Sequence, residues 1–223
     1  MKLNSLRARI LVLTLAIAII SISSVGYYSQ RNSRQILLGA YHKNAMNLSA
    51  ITLSSVENSY QSILFHKESI ITYRKQELKN ITDIFFSYLD EYYDEYIKGE
   101  LSLGEAQHHA IETAKMIRYD NGIGYLWINN TQLPYPRMIV HPTIPELNGR
   151  ILNDEKYNCA FGTEKNLFQA AAEIALSDGE GFIDYLWPKP SSEGLSTEQP
   201  KISFIRHFKE WNWVIGTGVY VDD

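Results

Sequence analysis

The sequence predicts an α+β protein: long N-terminal helices, then a mostly antiparallel sheet of about five to six strands, with a transmembrane helix at the start. Three observations carry that prediction. Ile10 to Tyr28 runs for 19 residues without a charge. Residues 40–98 contain neither Gly nor Pro. All seven prolines, and most of the glycines, lie beyond residue 133, among short β-prone runs. Helices first and strands afterwards is the order of an α+β chain rather than of alternating βαβ units.

The apolar run ILVLTLAIAIISISSVGYY would be about 28 Å long as a helix, close to the hydrocarbon thickness of a bilayer. Lys2, Arg7 and Arg9 precede it, and Arg31 and Arg34 follow. The basic residues before it place residues 1–9 as a cytoplasmic tail, 10–28 as a single membrane span, and the remainder outside the cytoplasm. A cleaved secretory signal is the rival reading, but the apolar core is long for that role and no A-x-A site follows. A buried core helix does not fit a segment apolar on all faces and flanked by arginines.

Residues 29–100 are read as a helical stalk. Leu37, Tyr41, Leu48, Ile51, Tyr60, Ile63 and Leu64 recur at helical spacing, and a second set follows from Ile70 to Tyr96, so two helices are expected, with a break near residues 66–76. Ser102-Leu103-Gly104-Glu105 matches a capping box and opens a helix to about Arg118. Tyr125–Ile128, Arg137–His141, Phe182–Trp187, Lys201–Phe208 and Trp213–Val221 read as strands, each stopped by a turn signal, a proline or the end of the sequence. Asn166–Leu176 is alanine-rich and reads as a helix ended at Asp178-Gly179. The polar stretch Lys189–Pro200 reads as a loop.

Composition excludes several classes. With 21 Lys+Arg against 25 Asp+Glu the formal charge is −4, without the basic excess that nucleic-acid partners call for. Cys159 is the sole cysteine, so there is neither an intrachain disulfide nor a cysteine-rich zinc site. His108 and His109 are adjacent and face different ways on a helix, a poor metal pair. Gly216-Thr217-Gly218 lacks the length and lysine of a phosphate loop and reads as sheet glycines allowing close backbone approach. Trp211 and Trp213 read as core. No G-x-S-x-G or H-E-x-x-H is present, and a hydrolase using His141 with Asp154 or Asp184 finds no supporting spacing. No enzyme activity, metal or cofactor is expected.

Six pieces in order carry a resemblance: Arg118–Ile128, Met138–Pro142, Leu147–Arg150, Gly179–Trp187, Pro200–Phe204 and Trp211–Asp223. Together they resemble the single Cache domain, an extracytoplasmic sensor of bacterial chemoreceptors, sensor kinases and diguanylate cyclases. The resemblance covers about residues 102–223 and implies a PAS-like sheet hung on a long helix, with 101–223 as the sensor domain. It implies a pocket for a small ligand, often a short carboxylate such as acetate, propionate, pyruvate or lactate. It also implies a bacterial inner-membrane protein with a periplasmic or extracellular sensor domain, a homodimer, and signalling for chemotaxis or a related output. Family receptors continue into a second membrane helix and an output domain, so either that domain or a separate signalling partner is expected. The segment Asn153–Cys159 departs from the family's acidic loop pattern, and no role is carried over to it.

A carboxylate entering an apolar pocket loses its hydration and must be met by donors, preferably charged ones. Arg118, His141 and Lys201 are the candidate cations, Tyr125, Tyr185 and Tyr220 the candidate hydroxyls, and Trp127, Trp187 and Phe204 the candidate apolar wall. Tyr125 and Trp127 share a strand face, as do Tyr185 and Trp187. The family pattern covers Tyr125, Trp127, His141, Tyr185 and Lys201; with Arg118 these form the candidate ligand site. The alternative is a ligand-free adaptor that dimerises through its long helix.

Overall fold

A computed structural model of the chain describes residues 6–191 and 194–221. Lys2 of the expected cytoplasmic tail and the terminal Asp222 and Asp223 lie outside those residues. The chain divides into two units, Met1–His66 and Lys67–Asp223.

Helix α1 runs from Leu6 to Lys98. In the first unit it is exposed along nearly its whole length, and its apolar window is long enough to cross a bilayer, with a mean hydropathy of 2.3. The break expected near residues 66–76 is absent, because nothing between 40 and 98 removes a backbone donor or frees the chain locally. In the second unit Leu78, Thr82, Phe85, Phe86 and Leu89 of α1 are buried.

Helix α2 spans Leu103–Met116 and starts with the expected capping box. Ser102 N–H donates to the Glu105 carboxylate at 2.8 Å, and Glu105 N–H donates to Ser102 Oγ at 3.3 Å. Strands β1 (Arg118–Tyr119), β2 (Gly124–Asn130) and β3 (Met138–Val140) follow. A small hairpin of β4 (Asn158–Ala160) and β5 (Lys165–Asn166) leads into helix α3, Leu167–Asp178. Asn166 caps α3 by accepting from the N–H groups of Phe168 and Gln169, and Gly179 ends it at φ 80°, where a β-carbon would be strained. Strands β6 (Glu180–Ser191), β7 (Gly194–Phe208) and β8 (Trp213–Tyr220) complete the chain.

The main sheet has six strands in the order β1-β2-β8-β7-β6, with β3 also paired to β2, and every pair is antiparallel. Of the expected loop from Lys189 to Pro200, residues 189–191 and 194–200 lie instead in the far ends of β6 and β7, and residues 192 and 193 fall outside the described residues. Pro188 and Pro190 are tolerated because β6 is an edge strand, whose outward N–H groups have no partner to lose.

The sheet is covered on both faces. Leu126, Ile128, Phe208, Trp213 and Ile215 pack against Phe85, Phe86 and Leu89 of α1 and the alanines of α2. Trp211 and Trp213 are buried there, as read from the sequence. Tyr125, Trp127, Tyr185, Trp187, Ile205 and Val214 face the other way, toward α3 and the segment from Met138 to Ala160. Alternation along β2 assigns neighbouring residues to opposite layers, and the layer beneath α3 holds the polar cluster.

Candidate functional site

The register of three strands builds the cluster. Lys201 on β7 lies opposite Tyr185 on β6 and opposite Tyr220 on β8. To reach β2 the lysine must cross β8, and it does so over Gly218. A β-carbon there would stand 2.0 Å from Ser203 Oγ and 2.9 Å from Lys201 Cε. Gly216, opposite Trp127, plays the same part for the indole, since a β-carbon would stand 2.1 Å from that ring. The two glycines therefore make close approach possible, as their place in a strand suggests, and what approaches is the pair of side chains that define the site.

Lys201 is 1 % exposed. Its Nζ lies 4.0 Å from the centre of the Tyr125 ring, 4.8 Å from that of Tyr220 and 5.9 Å from that of Trp127. No hydrogen-bond partner of ordinary geometry meets it. Among the described residues, no Asp or Glu is buried anywhere in the protein. Burial lowers the lysine's pKa, and the Tyr125 phenol opposes that only in part.

His141 follows β3 and is also buried. Its backbone N–H donates to Asn148 Oδ1 at 2.7 Å, and its ring Nδ1 accepts from the Ile144 backbone N–H at 3.1 Å. That second bond fixes the neutral tautomer with its proton on Nε2, leaving a donor. Burial first, then the charges of Lys201 and Arg118, pull its pKa down to about 3. The His141 ring stands 5.1 Å from Tyr125 and 5.7 Å from Trp187. Nδ1 is met by backbone rather than by a carboxylate, and Asp154 and Asp184 are exposed, which is not the arrangement of a base with an orienting acid. Tyr185 bonds Ser203 hydroxyl to hydroxyl at 2.8 Å, and burial raises the phenol's pKa.

Five of the six sequence-predicted residues thus come together: Tyr125, Trp127, His141, Tyr185 and Lys201. Arg118, the cross-strand neighbour of Tyr125, stands at the margin of this group. It is exposed, and its guanidinium donates to the Ile117 carbonyl at 2.7 Å. Phe204 leaves the expected wall: it stands three residues from Lys201, an odd offset that turns it to the opposite face, where it packs with Leu78 and Val219.

An open cleft of about 900 Å³ leads to the cluster. Tyr185 and Lys201 form part of its lining, whereas Tyr125, Trp127 and His141 pack behind the lysine. The opposite wall includes Glu155, Lys156, Asn158, Cys159 and Thr163. These belong to the segment for which the sequence carried no role, together with the turn that follows it. Burial raises the Cys159 thiol to about 11, so it stays protonated. Ser203 was also missed, although its position two residues after Lys201 puts it on the same strand face.

The polar groups of this cluster include donors backed by aromatic faces, with one buried lysine and no buried carboxylate among the described residues, while Glu155, Asp184 and Glu198 line the cleft outside it. The Cache-domain family model matches residues 40–223. The chain belongs to the Cache family. It is 38% identical over 125 residues to methyl-accepting chemotaxis protein McpP of Pseudomonas putida, covering 56% of this chain and 21% of that protein. It is 27% identical over 175 residues to sensor histidine kinase MctS of Rhizobium johnstonii, covering 78% of this chain and 34% of the kinase. The chain therefore spans a fifth to a third of the length of these relatives. Among solved structures, a periplasmic sensor domain of a chemotaxis protein superposes with a TM-score of 0.59 at 34% identity, over 68% of this chain and 98% of the other. A Cache chemosensory domain solved for its carboxylic acid recognition gives 0.59 at 29% identity, over 70% and 98%. In such relatives the Cache domain is the sensory part and not a catalytic one, and this Cache domain is likewise a sensory, ligand-binding domain.

Proposed function

We propose that this Cache domain binds a short organic acid outside the cytoplasm and reports it through a membrane anchor. The observation that carries the reading is Lys201: a fully buried ammonium with no hydrogen-bond partner, facing aromatic rings, with no buried carboxylate among the described residues. A buried charge without a counter-ion costs several kcal/mol, and an anionic ligand removes that cost. His141 and Tyr185 add neutral donors, and Tyr125 and Trp127 bound the carbon skeleton. The relative whose structure concerns carboxylic acid recognition supports the same chemistry.

The segment 10–28 is the proposed single-pass anchor in a bacterial inner membrane, with residues 1–9 in the cytoplasm, 29–100 as a stalk and 101–223 as the periplasmic sensor domain. A homodimer through the exposed apolar stripe of α1, and an output domain or signalling partner, complete the proposal. Ligand binding shifts a two-state equilibrium only by its differential affinity, typically about 1–3 kcal/mol.

The test is thermal unfolding of the full chain in detergent against short acids, amino acids and amines. One or more short acids should raise the midpoint. A panel without any shift, or a shift with amines alone, overturns the carboxylate reading, and the first outcome favours the ligand-free adaptor.

A further inference from the structure

Tyr185 and Ser203 share one hydrogen bond, hydroxyl to hydroxyl at 2.8 Å, and among the described residues neither oxygen has a second partner. Both side chains are buried. Two hydroxyls carry two protons, and the bond between them uses one. The other proton is a buried donor without an acceptor, which protein interiors seldom keep.

A second tyrosine–hydroxyl pair in the same sheet is complete. Tyr119 and Thr217 stand 2.6 Å apart on the helix side. Tyr119 Oη donates to the Gly218 carbonyl at 2.9 Å, and Thr217 Oγ1 donates to the Tyr125 carbonyl at 2.9 Å. Each proton of that pair has an acceptor, and the pair at the site is one acceptor short.

The spare proton lies beside the orphaned ammonium. Lys201 is the cross-strand neighbour of Tyr185, and Ser203 follows two residues later on the same strand face. The point where a Gly218 β-carbon would stand is 2.0 Å from Ser203 Oγ and 2.9 Å from Lys201 Cε, so the hydroxyl and the lysine stem lie side by side over that glycine. Two donors without acceptors in one place, one of them cationic, match the two oxygens of a single carboxylate. Access decides which hydroxyl offers its proton. Tyr185 lines the cleft together with Lys201, whereas Ser203 is fully buried and is not part of that lining.

We infer that Ser203 is a positioning residue: it donates to the Tyr185 oxygen and so leaves the Tyr185 proton for one oxygen of the carboxylate whose other oxygen Lys201 holds. This rests on the carboxylate reading above. A phenol that accepts from Ser203 while donating to an anion is also a stronger donor than one standing alone.

The test is calorimetric titration of the full chain in detergent with acetate, propionate and pyruvate. It compares the wild type, Ser203→Ala, Tyr185→Phe and the double variant, with the unliganded melting point of each. The acid that the wild type binds most tightly should lose about fivefold in affinity with Ser203→Ala and about tenfold with Tyr185→Phe, which keeps Lys201. In the Tyr185→Phe background, Ser203→Ala should change the affinity no further, because the serine acts through the phenol. A serine with only a structural role lowers the melting point and leaves the affinity alone. Unchanged or tighter binding in Ser203→Ala therefore overturns this inference and leaves the carboxylate reading standing. A fivefold loss that persists in the Tyr185→Phe background does the same. No binding of any of the three acids by the wild type overturns both.

Discussion

Replacing Lys201 with Met separates the cost of the site from its use. Met keeps an unbranched stem of similar length, so the space over Gly218 and beneath Tyr125 stays filled. What disappears is an ammonium buried without a counter-ion, whose burial costs several kcal/mol. The faces of Tyr125, Tyr220 and Trp127, at 4.0, 4.8 and 5.9 Å, offset that cost by about 2 kcal/mol. The net expectation is that the unliganded Lys201→Met protein is more stable by about 1–3 kcal/mol. For a unit of this size that corresponds to a rise of about 2–12 °C in the melting point. The same variant should lose the melting shift produced by short carboxylates. Both are read in one thermal-unfolding series, with and without ligand. A variant less stable than the wild type, or one that keeps its carboxylate shift, refutes the reasoning, because either result means the ammonium is already compensated inside the fold.

Two more expectations rest on the same geometry. Gly216→Ala forces a methyl group to within 2.1 Å of the Trp127 ring in a central strand, and should cost about 1–3 kcal/mol or more in chemical unfolding; an unchanged midpoint would mean the indole has room to move. His141 is neutral in the fold until about pH 3, whereas in the unfolded chain it takes up a proton below about pH 6.5. The unfolded state therefore binds more protons between these values, and stability rises with pH across that window by up to about 1.4 kcal/mol per pH unit. The loss between pH 6.5 and 4.5 should be smaller in His141→Gln than in the wild type, and identical losses would remove His141 as the cause.

Much of the architecture was legible because it rests on local rules. The capping box at Ser102, the alternation through Tyr125 and Trp127 and the proline stops each act over a few residues. Where the reading failed, the deciding fact was distant. The stretch read as the loop Lys189–Pro200 has the composition of a loop, and the position of β6 at the sheet edge is what lets Pro190 stay in a strand.

The residues of the site divide in the same way. By itself the sequence determined which side chains carry donors and rings, and the two-residue strand period already paired Tyr125 with Trp127 and Tyr185 with Trp187. Only the tertiary structure decided which of them meet. It placed Lys201 beside Tyr185 and Tyr220, left Arg118 exposed, turned Phe204 to the helix side, and lined one wall of the cleft with residues 155–163. Those outcomes depend on register between strands far apart in the chain, which no local pattern encodes; Gly216 and Gly218 were legible as points of close approach, but that Trp127 and Lys201 approach there was not.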